Sequence, residues 1–311
     1  MSLAILCSGQ GQQNAGMFDL VADAPEASKL FEIAAGLLDG DDPRDIVRNA
    51  ASGVLEANRT AQILCVLQAV ALQAALGDAL PRHRLVAGYS VGEVAAWVLA
   101  GLIGGADALH LVAMRAEAMD EASRDAEGLT FVRGLTRKTI EAFCGALDIG
   151  LAIVDPGDGF VVGGAIAALD AFEKEALQSG AQRLVRLKVH VASHTRRLAT
   201  ASVAFSKTLE DAEIRPALIA GVRLYSGIDG TAVLDIASGK AKLADQISHT
   251  VEWARCLESC AEAGATTFLE LGPGYALSAM VSEAIPGVSA RSAGEFRTLA
   301  GLRTWIAGKA G

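Results

Sequence analysis

The 311 residues carry 36 acidic against 27 basic side chains, a formal charge of −9, and that balance excludes a nucleic-acid binder or a basic membrane-surface protein, both of which need a cationic footprint. Half of the residues are hydrophobic, a fifth are charged and few are aromatic, which excludes a disordered or fibrous chain and suits a globular enzyme with one large domain and room for a smaller inserted one.

The five cysteines, Cys7, Cys65, Cys144, Cys256 and Cys260, are scattered through apolar patterns and read as reduced buried thiols. Cys256 and Cys260 have helical i, i+4 spacing, but no His or carboxylate set of metal-site spacing lies nearby, so no metal is expected. The opening MSLAILCSGQGQQ lacks the basic n-region of a secretion signal. The most apolar stretch, 61–80, is interrupted by Gln68, Gln73 and Asp78 and reads as a buried helix rather than a membrane span. Cytoplasmic residence, with neither nucleic acid nor membrane as partner, is the expectation.

In chain order, Leu3 to Cys7 reads as a short buried strand followed by the amide-rich loop Ser8-Gly9-Gln10-Gly11-Gln12-Gln13. Helical periodicity runs over 25–38, 42–49 and 59–80. A strand at 85–87 without alternation implies a central parallel position covered on both faces. The turn Gly88-Tyr89-Ser90-Val91-Gly92 leads into a helix over 93–100, and a long helix follows over about 106–122. From 128 the rhythm becomes strand (129–135), helix (138–147), strand (149–154), turn, strand (160–163), helix (165–178), strand (183–189). That βαββαβ order predicts an inserted ferredoxin-like small domain over 128–189. The α/β pattern then resumes: helix 195–212, strand 222–226, helix 251–262, strand 267–271, the Gly272-Pro273-Gly274 turn and helix 275–284. The expected fold is thus α/β, a large α/β-hydrolase-like domain (1–127 and 190–311) on a parallel sheet, with the small domain inserted.

Gly88-x-Ser90-x-Gly92 between a buried strand and a helix is the nucleophile-elbow pattern, whose glycines permit a sharp turn that lifts the serine toward solvent. The next helix offers N-terminal N–H groups, Val91 among them, to an oxyanion formed at Ser90. A serine needs a base. His83 lies about 20 Å from Ser90, at the far end of its strand at ~3.3 Å per residue, and is excluded. His110 sits mid-helix and reads as an ordinary packed or surface side chain. His190 and His194 stand where the insert returns to the large domain; His194, just before a helix, is the stronger candidate, and His249 is a weaker one.

Gly9-Gln10-Gly11, Gly88-Tyr89-Ser90-Val91-Gly92-Glu93, Met114-Arg115, Ser193-His194, Gln246 with Val251-x-Trp253, and Glu270-Leu271-Gly272-Pro273-Gly274 fall in the order and spacing of one family. Over nearly its whole length the chain resembles the malonyl-CoA:acyl-carrier-protein transacylases. The resemblance implies Ser90 as nucleophile, His194 as its base, the N–H groups of Gln10 and Val91 as the oxyanion hole, and the backbone carbonyl of Gln246 as the group that orients the histidine. It implies Arg115 as the grip on the malonyl carboxylate, a task that suits a planar two-pronged guanidinium. No permanently bound cofactor is implied: a coenzyme A thioester is the substrate, and the phosphopantetheine-type thiol of an acyl-carrier protein is the acceptor.

Tyr89 stands where most fatty-acid members have His, and Cys7-Ser8 where they have Phe-Pro; Asp155-Pro156-Gly157-Asp158-Gly159 replaces the Asn and Gln of relatives. In the first two features the chain is similar to the epsilon subunit of malonate decarboxylase, whose delta subunit would then be the carrier. A transacylase of fatty-acid or polyketide synthesis is the alternative. A serine thioesterase or esterase shares GxSxG but has no need of Arg115 or the Gln10 loop, and a non-catalytic scaffold would not keep Ser90, His194 and Arg115 together. Arg183, Arg186, Lys188, Arg196 and Arg197, near the junction, form the patch expected to dock an acidic carrier.

Overall fold

The computed structural model describes residues 2–51, 53–123 and 126–309. Its first sheet is five-stranded and parallel, in the order β7-β2-β1-β8-β9, built from β1 (Ser2–Cys7), β2 (Arg84–Gly88), β7 (Val222–Tyr225), β8 (Ala265–Leu271) and β9 (Ser289–Ser292). β2 is buried along its whole length, which is why it shows no alternation in sequence. Helices α1 (Ser28–Leu37), α2 (Pro43–Asn49), α3 (Asn58–Leu76), α4 (Gly92–Leu99) and α5 (Gly105–Ala122) come from the first part of the chain. α3 and the turn after it are long and apolar enough to cross a membrane, yet α3 packs against α4 and α5, with its Ile63–Leu67 run fully inside the core.

The second sheet is four-stranded and antiparallel, in the order β4-β5-β3-β6. Its elements follow one another as β3 (Glu127–Arg133), α6 (Arg137–Leu147), β4 (Gly150–Asp155), β5 (Gly159–Ala165), α7 (Ile166–Gln178) and β6 (Arg183–Arg186). Val132, Ile140, Phe160 and Phe172 centre a separate small core there. The last strand ends at Arg186, three residues short of the expectation. After Leu187, whose N–H still reaches Leu129 O at 2.9 Å, the chain leaves the sheet for the junction. This unit is stitched to the large one by Val251, which exchanges backbone bonds with Ala152 and Val154.

The large unit is completed by α8 (Ala199–Asp211), α9 (Ile236–Asp245), α10 (Trp253–Glu262), α11 (Ala276–Ala284) and α12 (Leu299–Ala307). α9, β9 and α12 were absent from the sequence reading. Their caps are local: the Asp235 carboxylate accepts from Ser238 N–H, and the Thr298 hydroxyl from Gly301 N–H.

Candidate active site

The β2–α4 turn is tight enough to dictate its own residues. A Cβ on Gly88 would stand 2.2 Å from the Glu93 nitrogen, and one on Gly92 would stand 2.2 Å from the Cys7 carbonyl oxygen, so only glycine lets the helix approach the strands this closely. Ser90, between them, is held at φ +55°, an uncommon conformation for a side-chain-bearing residue that the flanking packing imposes. Val91 follows as the N-cap of α4 and is fully buried.

His194 arrives from the other side. It too has a positive φ, +62°, and its own N–H donates to Ile247 O at 2.8 Å. Its Nε2 lies 2.8 Å from Ser90 Oγ and its Nδ1 2.5 Å from the Gln246 backbone carbonyl. A carbonyl only accepts, so Nδ1 carries the proton and Nε2 is left bare to accept from the serine hydroxyl. Burial, reinforced by the charge of Arg115, pushes the imidazole down to about 3 against the pull of the Gln246 carbonyl, so the ring is neutral at physiological pH. His83, His110, His190 and His249 are all exposed.

Arg115 on α5 is 1% exposed. Its Nη1 donates to Gln62 Oε1 at 2.5 Å, and its Nη2 has no hydrogen-bond partner among the described residues. Burial lowers the guanidinium to about 10, with Glu93 the anion that opposes the shift, and it stays cationic at neutral pH. Gln62 is aimed by a relay in which its Nε2 donates to Asn58 Oδ1 and Asn58 Nδ2 donates to Asp120 Oδ1.

The Gln10 loop leaves β1 beside the elbow, where Tyr89 N–H donates to Cys7 O at 2.9 Å and Gly9 fits against the Tyr89 carbonyl. Ser8 Oγ anchors the start of this loop by donating to the buried Glu270 at 2.8 Å. Gln10 and Tyr89 line a cavity of about 370 Å³ between the two sheets, whose far wall includes Asp155 of β4 and the basic side chains Arg133, Arg183 and Lys188. Tyr89 bridges the units, with its ring edge-on to Trp253 and its hydroxyl donating to Asp155 Oδ2 at 3.3 Å.

The structure therefore brings Ser90, His194 and the Gln246 carbonyl into one hydrogen-bonded line, keeps Val91 within the elbow with Gln10 on the cavity wall beside Tyr89, and buries Arg115 where its field reaches His194. Sequence reasoning missed Gln62 and named Glu93, Asp155 and Glu270 only as motif residues, with no role. The available signal was a polar or charged side chain at an apolar position, such as Glu93 at the head of Val94–Leu99. The proposed docking patch is already engaged: Arg186 pairs with Asp170 and Glu173, Lys188 with Glu56, Arg196 with Asp148 and Arg197 with Glu127, while Arg183 lies over the Phe131 ring.

Residues 5–303 match the acyl transferase domain family. The chain belongs to that family. It is 27% identical over 312 residues to the malonyl CoA-acyl carrier protein transacylase of Haemophilus influenzae, covering 97% of this chain and 98% of that one. It is 31% identical over 286 residues to the polyketide synthase GfsB of Streptomyces halstedii, 90% of this chain but 5% of that much longer protein. The crystal structure of an acyl-carrier-protein S-malonyltransferase from Burkholderia pseudomallei superposes with a TM-score of 0.88 at 27% identity, covering 98% of this chain and all of the other. The parallel sheet with a second antiparallel sheet is thus the architecture of such acyltransferases.

Proposed function

We propose that this acyltransferase is a malonyl-CoA:acyl-carrier-protein S-malonyltransferase of fatty-acid or polyketide synthesis, working through a malonyl ester on Ser90. The observation that carries the reading is Arg115: a buried cation whose Nη2 has no partner among the described residues, close enough to the Ser90–His194 pair to depress the imidazole. A buried unpaired guanidinium is costly unless a ligand anion completes it. An acyl group ending in a carboxylate does so.

In the mechanism, His194 Nε2 takes the Ser90 hydroxyl proton as Oγ attacks the thioester carbonyl, and the N–H groups of Val91 and Gln10 receive the oxyanion. Collapse breaks the C–S bond; the coenzyme A thiolate takes the proton back from Nε2 and leaves. The carrier thiol then reverses the same steps. Arg133, Arg183 and Lys188 on the cavity wall suit the phosphates of the coenzyme or of the carrier's prosthetic arm, which would displace the surface partners Glu283 of Arg133 and Glu56 of Lys188.

The epsilon-subunit reading, with the delta subunit of malonate decarboxylase as carrier, rests on Tyr89 and Cys7-Ser8 alone. Both positions serve internal contacts, Tyr89 with Asp155 and Ser8 with Glu270, and the relatives described above are carrier-protein transacylases and a polyketide synthase, which favours the alternative. The strand–elbow–helix step supports a hydrolase-like large unit, and the order β4-β5-β3-β6 supports a ferredoxin-like insert over 128–189. Brief incubation with malonyl-CoA should leave a malonyl ester on Ser90, located by peptide mass spectrometry and absent in Ser90→Ala. Label persisting in the alanine variant would refute the assignment. Transfer to holo fatty-acid carrier but not to holo delta subunit would fix the pathway, and the reverse preference would restore the epsilon-subunit reading.

A further inference from the structure

Glu93 is wholly buried three residues past Ser90, on the first turn of α4. Its Oε1 accepts from Ser226 Oγ at 2.8 Å, and its Oε2 accepts from Gly227 N–H at 2.9 Å and from Gln246 Nε2 at 2.7 Å. One carboxylate thus ties the helix that follows the nucleophile to the end of β7 and to the residue whose carbonyl receives His194 Nδ1–H. Gln246 is the C-cap of α9, where helix carbonyls lack intrahelical partners and are free to turn outward. The side-chain tether to Glu93 fixes which way this residue turns.

We propose that Glu93 is a positioning residue for His194, acting through Gln246: it sets the carbonyl that holds the imidazole in the tautomer with Nε2 bare and aimed at Ser90. The proposal rests on the reading of His194 as general base. Glu93 does not touch the reacting atoms. Its work is to keep nucleophile and base in register, since both are referred to the same carboxylate.

The charged and titratable groups whose fields reach Glu93 are Arg115 on α5, Asp229 beyond β7 and Cys256 on α10, with His194 coupled through Gln246. Burial outweighs the hydrogen bonds from Gly227 and Ser226 and raises the carboxyl to about 7. Gly227 N–H and Gln246 Nε2 only donate, whereas Ser226 Oγ can donate or accept, so a proton on Glu93 is held on Oε1 facing Ser226 and Oε2 keeps both of its donors. Acylation should therefore persist as pH drops through about 7, because the Oε2 tether to Gln246 survives protonation of Glu93 and His194 stays neutral down to about 3.

The test is single-turnover acylation of the full chain by malonyl-CoA in native, Glu93→Ala, Glu93→Gln, His194→Ala and Glu93→Ala/His194→Ala proteins. Glu93→Ala should slow acylation about 10- to 100-fold at pH 8 with KM for malonyl-CoA little changed, the scale of outer partners that orient a functional histidine. Glu93→Gln should restore most of that loss, because its side-chain oxygen can keep the Gly227 and Gln246 donors while Ser226 Oγ turns from donor to acceptor. In the His194→Ala background Glu93→Ala should cost nothing further, since its effect runs through the ring. Gln246→Ala, which keeps the carbonyl and cuts the tether, should reproduce Glu93→Ala if the latter fails to fold. A loss from Glu93→Ala as large without His194 as with it overturns the proposal. A native rate in His194→Ala instead overturns the function reading beneath it.

Discussion

Replacing Arg115 by Ala separates the recognition of the malonyl group from everything else the site does. The guanidinium is fully charged at pH 7.5, because its lowered value of about 10 is still well above that pH. It can offer the incoming carboxylate two charge-assisted N–H bonds, at about 1.5–3 kcal/mol each. A loss of about 3–6 kcal/mol, roughly 10²- to 10⁴-fold in kcat/KM for malonyl-CoA, follows from removing them. Acetyl-CoA has nothing to pair with the buried cation, so its kcat/KM should hold or rise.

A second effect works in the same direction. Arg115 is among the groups that depress His194, and a bound malonyl carboxylate cancels that field, so the base strengthens when the correct acyl group is seated. An acetyl group leaves the field in place. Deleting Arg115 lifts it for both. The assay is the ratio of acylation rates for the two thioesters, which cancels general damage such as the unpaired Gln62 Oε1 that the alanine variant leaves behind. Equal losses for malonyl and acetyl groups would show that Arg115 is structural and refute the reasoning.

Asp155 is buried, with Oδ1 unpartnered among the described residues, and burial raises it from 3.8 to about 7. A folded value above the unfolded one favours the folded state at low pH; that contribution is complete below about 4 and lost as pH rises through about 7. Asp155→Asn should therefore raise Tm over the native protein at pH 8 and not at pH 4, and a gain independent of pH would contradict this. Reversing Arg196 and Arg197 to Glu should lower Tm and slow Ser90 acylation itself, because Arg197 pairs with the nearly buried Glu127 at the root of β3 just beyond His194. Unchanged acylation with a raised KM for the carrier would return these arginines to the docking role.

Much of the fold was legible because its signals are local. The elbow glycines, the fully apolar β2 and the βαββαβ rhythm each declare themselves within a short window. α9 did not, since Gly239 sits in its middle, where a Cβ would come 2.6 Å from Val233 and 3.2 Å from the Trp97 ring, and that packing need outweighs helix propensity. β9, Ser-Ala-Arg-Ser, is an edge strand without an apolar run. The same division holds in the site. Ser90 and His194 announce their chemistry by type and context, whereas Glu93 meets Gln246 across 153 residues and Arg115 meets Gln62 across 53, pairings that only the folded chain displays. The cationic patch shows the same division: four of its five basic side chains pair with acidic residues and Arg183 lies over the Phe131 ring, contacts that only the folded chain displays.

Among the described residues no carboxylate bonds His194, which fits the chemistry proposed for the chain. A carboxylate on Nδ1 would stabilise the imidazolium and make Nε2 a stronger base; here the direct partner is the neutral Gln246 carbonyl, and the carboxylate of Glu93 stands one residue further out. The ring is left a weak base, disfavoured as a cation. A thiol, with a pKa of about 8.5, gives up its proton to such a base far more readily than water, whose pKa is about 15.7. The deacylating nucleophile is therefore selected by acidity before any question of shape arises. Coenzyme A and the carrier arm present the same kind of thiol, so forward and reverse half-reactions meet the same barrier, and the malonyl ester is held for a thiol instead of being hydrolysed.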